Sequence, residues 1–374
     1  MSGKIEFVDL RAQQERIRED LNKRVIKVLE HGQYIQGPEC QELESALAEY
    51  CRCSHVIGVS SGTDALLMAL MAKGVGPGDA VFCPAFTFTA TAEVIVLLGA
   101  TPVFVDVDPD SYLIDLGNLT AAITKVRQGK LIPRAILAVD LFGLTPDYRA
   151  LTKFSQEHDL ILIADAAQSF GAVFGNDRVG KLAPVTVTSF FPAKPLGCYG
   201  DGGAIMTDDT ELAEQLRSIR AHGKGIHKYD IVRIGINGRL DTLQAAILLA
   251  KLKVFDDELR AREQVALWYD EALGGKIKKP VRPVGITCAW AQYTIQLDDR
   301  DRVADMLKTK GIPTAIYYPK PIHLQPAYMS YGDGIGSLPV SEFLSQRVLS
   351  LPMHPYLSRE TIGIIADHLH AVIT

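Results

Sequence analysis

The chain has 374 residues, 47% of them hydrophobic and 22% charged, with a formal net charge of −5 at neutral pH. This is ordinary globular composition. It offers no basic field for nucleic acid, so any anionic ligand must be held by local groups. At roughly 150 residues per domain the length predicts two domains: a large one over 1–250 and a smaller α+β one over 251–374.

The opening MSGKIEFVDLRAQQ mixes charges with apolar residues and has no apolar signal core. Leu21, Val25, Ile26 and Leu29 recur at helical spacing in the charged stretch 10–30, which predicts an amphipathic helix. Gly32, Gly37 and Pro38 break it, and a second helix is expected near Glu39–Tyr50. From about 55 to 206 the runs HVIGVS, AVFCPA, TPVFVDV, AILAVDLFG, LILIADAA and VTVTSFF alternate with helical stretches. Such alternation predicts an α/β fold whose mostly parallel sheet is covered by helices on both faces, with ligands bound beyond the carboxyl ends of the strands. Further helices are expected near Glu211–Arg220 and over Thr242–Leu273, followed after Pro280 by mixed strand and helix. The longest apolar zone, Val94–Val105, is broken by Gly99 and Pro102 and is too short to span a bilayer. No membrane association is expected. The six cysteines are scattered, as in a reducing cytoplasm. His368 and His370 lack a third ligand in the sequence, so no metal site is expected.

Four segments carry candidate chemistry. Ser60-Ser61-Gly62-Thr63-Asp64 joins a strand to a helix, so its backbone N–H groups and the helix dipole suit a phosphate. Taken alone it reads more simply as an ordinary cap. The same stretch, Gly58-Val59-Ser60-Ser61-Gly62, also matches the nucleophile elbow of a serine hydrolase, with Ser60 as nucleophile. Asp165 follows an apolar run at a strand end, where a carboxylate can hold a protonated pyridine nitrogen or merely cap the next helix. Lys194 lies among small and apolar residues, which favours the neutral amine that condenses with an aldehyde, although a lysine in a glycine-rich turn is more often a solvated surface residue. Asn237-Gly238-Arg239 precedes a helix start, where capping is again the simple reading.

The ordered blocks SSGTDALLMAL, PAFTFTATAE, DAAQSFGA, SFFPAKPLGCYGDGGA and GINGRLDTLQAA, with IEFVDLRAQ, HGQYIQGPE and SLPMHPYL, span essentially the whole chain. Together they resemble the pyridoxal-phosphate-dependent nucleotide-sugar aminotransferases of the DegT/StrS type, which have the fold type I architecture. The resemblance implies that Lys194 carries pyridoxal 5'-phosphate. Gly62, Thr63 and Ser189 would meet its phosphate, Phe88 would stack on its ring, Asp165 would hold the ring nitrogen, and Gln168 would lie near the ring hydroxyl. Asn237 would reach the phosphate of a partner subunit, making a homodimer with shared active sites.

Within the family the chain looks most similar to the branch that aminates UDP-2-acetamido-2-deoxy-3-oxo-glucuronate for surface polysaccharides, with glutamate as amino donor. Arg239 would grip the sugar carboxylate there, and Tyr317, Tyr318 and His323 would line the substrate pocket. The chain departs from that branch at Tyr317, where histidine is common. An amination of a neutral oxo-deoxysugar is the alternative. A dehydratase branch of the family replaces the lysine with histidine, against which Lys194 speaks. A non-catalytic regulatory role would leave a degraded pocket, whereas every matched cofactor position is intact.

Overall fold

The computed structural model describes residues 4–227, 229–275 and 277–373. A seven-stranded sheet forms the centre, in the order His55–Val59, Gly203–Thr207, Val185–Ser189, Ile161–Asp165, Ile132–Val139, Asp79–Pro84, Thr101–Val105. Six strands run the same way. Gly203–Thr207 runs antiparallel to both of its neighbours, and this was the one strand of the sheet hidden in the glycine-rich stretch after Lys194.

The strands are apolar on both faces because both are buried. Val81, Cys83, Ala135, Leu137 and Ile163 pack on one face with Leu66, Met68 and Leu70 of the helix Gly62–Ala72 and with Leu212 and Leu216 of the helix Thr210–Ile219. Their alternates, Ala80, Phe82, Ile136, Ala138 and Leu162, pack on the other with Leu119 and Ile123 of Leu116–Arg127 and with Leu151 of Tyr148–His158. The apolar zone Val94–Val105 resolves into the end of the helix Ala90–Leu97, a turn with Gly99 at φ +74°, and the edge strand Thr101–Val105.

The helix Thr242–Leu273 runs for 32 residues. Its first half, including Ala245, Leu248 and Phe255, packs against Leu43 and Leu47 of the helix Pro38–Cys51. Its far end, with Val265, Ala266, Tyr269 and Leu273, packs in a second core. That core contains the paired strands Tyr293–Gln296 and Val348–Leu351 and the helices Arg300–Thr309 and Arg359–Ile373. No helix among the described residues is long and apolar enough to cross a membrane.

Candidate active site

Parallel strands in register end on one edge of the sheet, and each end hands its next residues to the same region. Val139 lies beside Asp165, and Asp165 beside Val187. The strand His55–Val59 leads into the helix Gly62–Ala72, capped by the Ser61 hydroxyl, which accepts from the Asp64 N–H at 3.0 Å. The first-turn N–H groups of Gly62 and Thr63 have no intrahelical acceptor and face outward with the positive end of the dipole. A Cβ on Gly62 would lie 2.7 Å from the Ser189 Cβ, so only glycine lets the helix start abut that serine. The result is a cradle of N–H groups and a hydroxyl, the donor set that a phosphate needs.

Asp165 is buried, 7% exposed. Its carboxylate accepts from the Ala167 N–H at 3.2 Å and from the Thr91 hydroxyl at 3.4 Å. Burial pushes its pKa upward against those bonds and against the Lys194 ammonium. Lys194 shows the reverse: burial of its amine lowers its pKa, and the Asp165 charge opposes the shift. The acid and the base are thus electrostatically coupled across the pocket. A cationic pyridine ring beside Asp165 would offset the burial cost of its charge, and the lowered pKa brings Lys194 closer to the neutral amine that condenses with an aldehyde. The residues fit pyridoxal phosphate.

Gln168 is buried and joined to two neighbours. Its Oε1 accepts from the Phe142 N–H at 2.7 Å, and its Nε2 donates to the Tyr318 hydroxyl at 3.3 Å. The Tyr318 ring lies 6.2 Å from Phe88, whose ring is 54% exposed. Tyr317 is half-buried and adjoins Tyr318 at 5.8 Å between ring centroids. Asn237 is exposed, while Arg239 pairs with Val59 in an antiparallel bridge and keeps Nε buried without a hydrogen-bond partner.

His323 does not join this group of contacts. Its ring is 1% exposed, lies 3.2 Å from Glu342 through Nε2, and packs 6.4 Å from Phe104. Ser60 has the strand–turn–helix setting of an elbow but not its chemistry. Its hydroxyl donates to Asp64 at 2.5 Å, and among the described residues no histidine is hydrogen-bonded to it. No group of three metal-ligating side chains occurs among the described residues.

Three further residues lie against the site without a sequence signal of their own. Thr91, in the block that gave Phe88, holds Asp165. Asp140 is fully buried beside Asp165, with its pKa pushed up to about 8 by burial. Lys251 is 1% exposed and donates to the Gly197 carbonyl at 2.6 Å, three residues beyond Lys194. Its Nζ also sits 4.1 Å from the centre of the Tyr199 ring, and burial lowers its pKa to about 8.

A lysine that sheds its proton easily, coupled to a buried acid at the strand ends of a mostly parallel sheet, is the working pair of a fold type I pyridoxal-phosphate enzyme. Residues 15–370 match the DegT/DnrJ/EryC1/StrS aminotransferase family, and the chain belongs to it. It is 48% identical to the UDP-2-acetamido-2-deoxy-3-oxo-D-glucuronate aminotransferase of Pseudomonas aeruginosa, with 98% of this chain and 99% of that protein covered. The crystal structure of a family member from Brucella abortus superposes with a TM-score of 0.96 at 52% identity, covering 99% of both chains. NtdA from Bacillus subtilis, solved with its bound cofactor PMP, superposes with a TM-score of 0.91 at 30% identity over 100% of this chain and 86% of that one. The chain is a pyridoxal-phosphate-dependent sugar aminotransferase, and the hydrolase reading of Ser60 falls.

Proposed function

We propose that the enzyme transfers the amino group of glutamate to UDP-2-acetamido-2-deoxy-3-oxo-glucuronate, in the cytoplasm, for surface polysaccharide synthesis. Pyridoxal phosphate supplies the electron sink for this chemistry when bound. Gly62, Thr63 and Ser189 hold its phosphate, Phe88 covers its ring, Asp165 holds the ring nitrogen and Gln168 the ring hydroxyl. Lys194 Nζ, once freed by the incoming amino donor, would take the proton from the donor's α-carbon and later return one to the sugar carbon that receives nitrogen. Tyr317 and Tyr318 border the sugar. The six cysteines are all free, which suits a reducing compartment.

The enzyme works as a homodimer with shared sites. Ile226, Ile231, Val232 and Ile234 are exposed on the segment just before Asn237, and a run of exposed apolar side chains is the usual mark of a protein interface. Asn237 then reaches the partner's cofactor phosphate. The domain boundary near 250 falls within the helix Thr242–Leu273, with the cofactor residues before it and Tyr317 and Tyr318 after it.

The observation that carries the uronate assignment is Arg239. A guanidinium with a buried, unpartnered Nε is incomplete, and a carboxylate completes it with two charge-assisted bonds that lysine cannot copy. The test supplies the purified enzyme with glutamate and either the oxo-glucuronate or the matching neutral oxo-hexose, with products read by mass spectrometry. Arg239→Lys raises KM for the oxo-glucuronate roughly tenfold or more, the scale of one lost charged contact. The glutamate half-reaction stays near wild type. Preference of the wild type for the neutral sugar would overturn the assignment.

A further inference from the structure

Asp140 directly follows the strand Ile132–Val139 and is 0% exposed, out of reach of solvent. It is nonetheless bound to the turn that bears Asp165 and Gln168. The Asp140 N–H donates to the Asp165 carbonyl at 3.0 Å. The Ser169 hydroxyl donates to Asp140 Oδ2 at 2.5 Å, and the Tyr148 hydroxyl donates to Oδ1. Two residues on, the Phe142 N–H donates to Gln168 Oε1 at 2.7 Å. Phe142 adopts φ +62°, and Gly143 follows at φ +102°, where a Cβ would lie 3.2 Å from the Gln168 carbonyl and 2.7 Å from the Trp290 nitrogen. The loop 140–143 is therefore laced to the turn 165–169 at both ends of the turn. A buried carboxyl group is expensive unless it is hydrogen-bonded, and both oxygens here are engaged.

From this lacing we infer that Asp140 is a positioning residue for the transamination: it locks the Asp165–Ser169 turn, so that Asp165 and Gln168 meet the cofactor ring together. The inference rests on the roles given above to those two residues. It separates two kinds of contact on one carboxylate. Ser169 links Asp140 to the turn, whereas Tyr148, on the helix Tyr148–His158, anchors it to the scaffold behind. Cutting the first link disturbs the ring contacts. Cutting the second chiefly loosens the support.

The experiment compares Asp140→Ala, Asp140→Asn, Ser169→Ala, Tyr148→Phe and Asp165→Asn as holoenzymes. The readouts are the visible absorption of the bound cofactor as a function of pH, kcat per bound cofactor, and the urea midpoint of the apoenzyme. Asp140→Ala and Ser169→Ala shift the pH at which the band changes and lower kcat on the order of tenfold to hundredfold, as misplacement by about an ångström does. Asp140→Asn, which keeps an acceptor for Ser169, recovers most of that loss. Tyr148→Phe lowers the urea midpoint with little spectral change. If Asp140→Ala fails to fold, Ser169→Ala carries the test alone. Wild-type spectra and kcat in Asp140→Ala or, failing that, in Ser169→Ala would overturn the inference, provided Asp165→Asn changes both. If Asp165→Asn also changes neither, the assignment of Asp165 to the ring nitrogen is what has failed.

Discussion

Substitution of Gly62 by alanine tests the phosphate cradle with one carbon. The added Cβ would stand 2.7 Å from the Ser189 Cβ and 3.2 Å from both its Cα and its Oγ. The first distance is well inside van der Waals contact, and the nearest wall is a strand end that pairs with Gly203 and cannot retreat freely. Overpacking of this kind costs typically about 1–3 kcal/mol. If the helix start moves off Ser189 to relieve it, the cradle opens and cofactor affinity falls by about 5-fold to 150-fold, at 1.4 kcal/mol per tenfold. Titration of apoenzyme with pyridoxal phosphate, followed by absorbance, reads the affinity. Urea unfolding of the apoenzyme reads the steric part alone. Ser189→Gly removes the nearest atom, so the double variant Gly62→Ala/Ser189→Gly is more stable as apoenzyme than Gly62→Ala, though it still binds cofactor poorly without the hydroxyl. A Gly62→Ala enzyme with wild-type affinity and stability would refute the cradle.

Borohydride treatment of the holoenzyme fixes the cofactor on the peptide containing Lys194, and peptide mapping that finds it on another lysine contradicts the assignment. Mixing Lys194→Ala with Asn237→Ala subunits regenerates part of the lost activity, because hybrid dimers hold one site with both residues intact. Verified exchange without recovery places Asn237 outside its partner's site. Lys251 has a folded pKa of about 8, below the 10.5 of a free lysine. The unfolded chain therefore binds more protons between about pH 8 and 10.5, and this lysine makes stability rise with pH across that window. Lys251→Met abolishes that share of the rise in urea midpoints measured from pH 7.5 to 10.5; parallel curves for the two proteins would show that the burial cost is absent.

The alternating runs between 55 and 206 revealed the sheet because a strand buried on both faces must be apolar throughout, and six such runs lie there. Gly203–Thr207 escaped because it follows directly on the glycine-rich stretch 197–203 and reads as its continuation, and its antiparallel course brings it to the sheet without a crossover helix. Of the candidate site, Asp165 was the position easiest to single out, because it closes the apolar run Leu160–Ala164 at a strand end. The contacts of His323 with Glu342 and Phe104 were not legible, since those partners lie far from it in the chain. Thr91, Asp140 and Lys251 were hidden for a related reason. Their partners lie 74, 29 and 54 residues away in the chain, and only folding brings them into contact. The elbow at Ser60 was a local pattern without its distant partner, and its hydroxyl turned to an aspartate in its own turn.

The long helix Thr242–Leu273 begins just after Arg239 and, at 1.5 Å per residue, extends about 48 Å. One end is embedded among the residues that support the cofactor cradle, the other in the small domain, and at its tenth residue Lys251 grips the backbone beside Lys194. The helix is thus a single rigid rod with three attachments. One continuous helix joins the packing behind the cofactor cradle, the backbone at Gly197 and the core of the small domain.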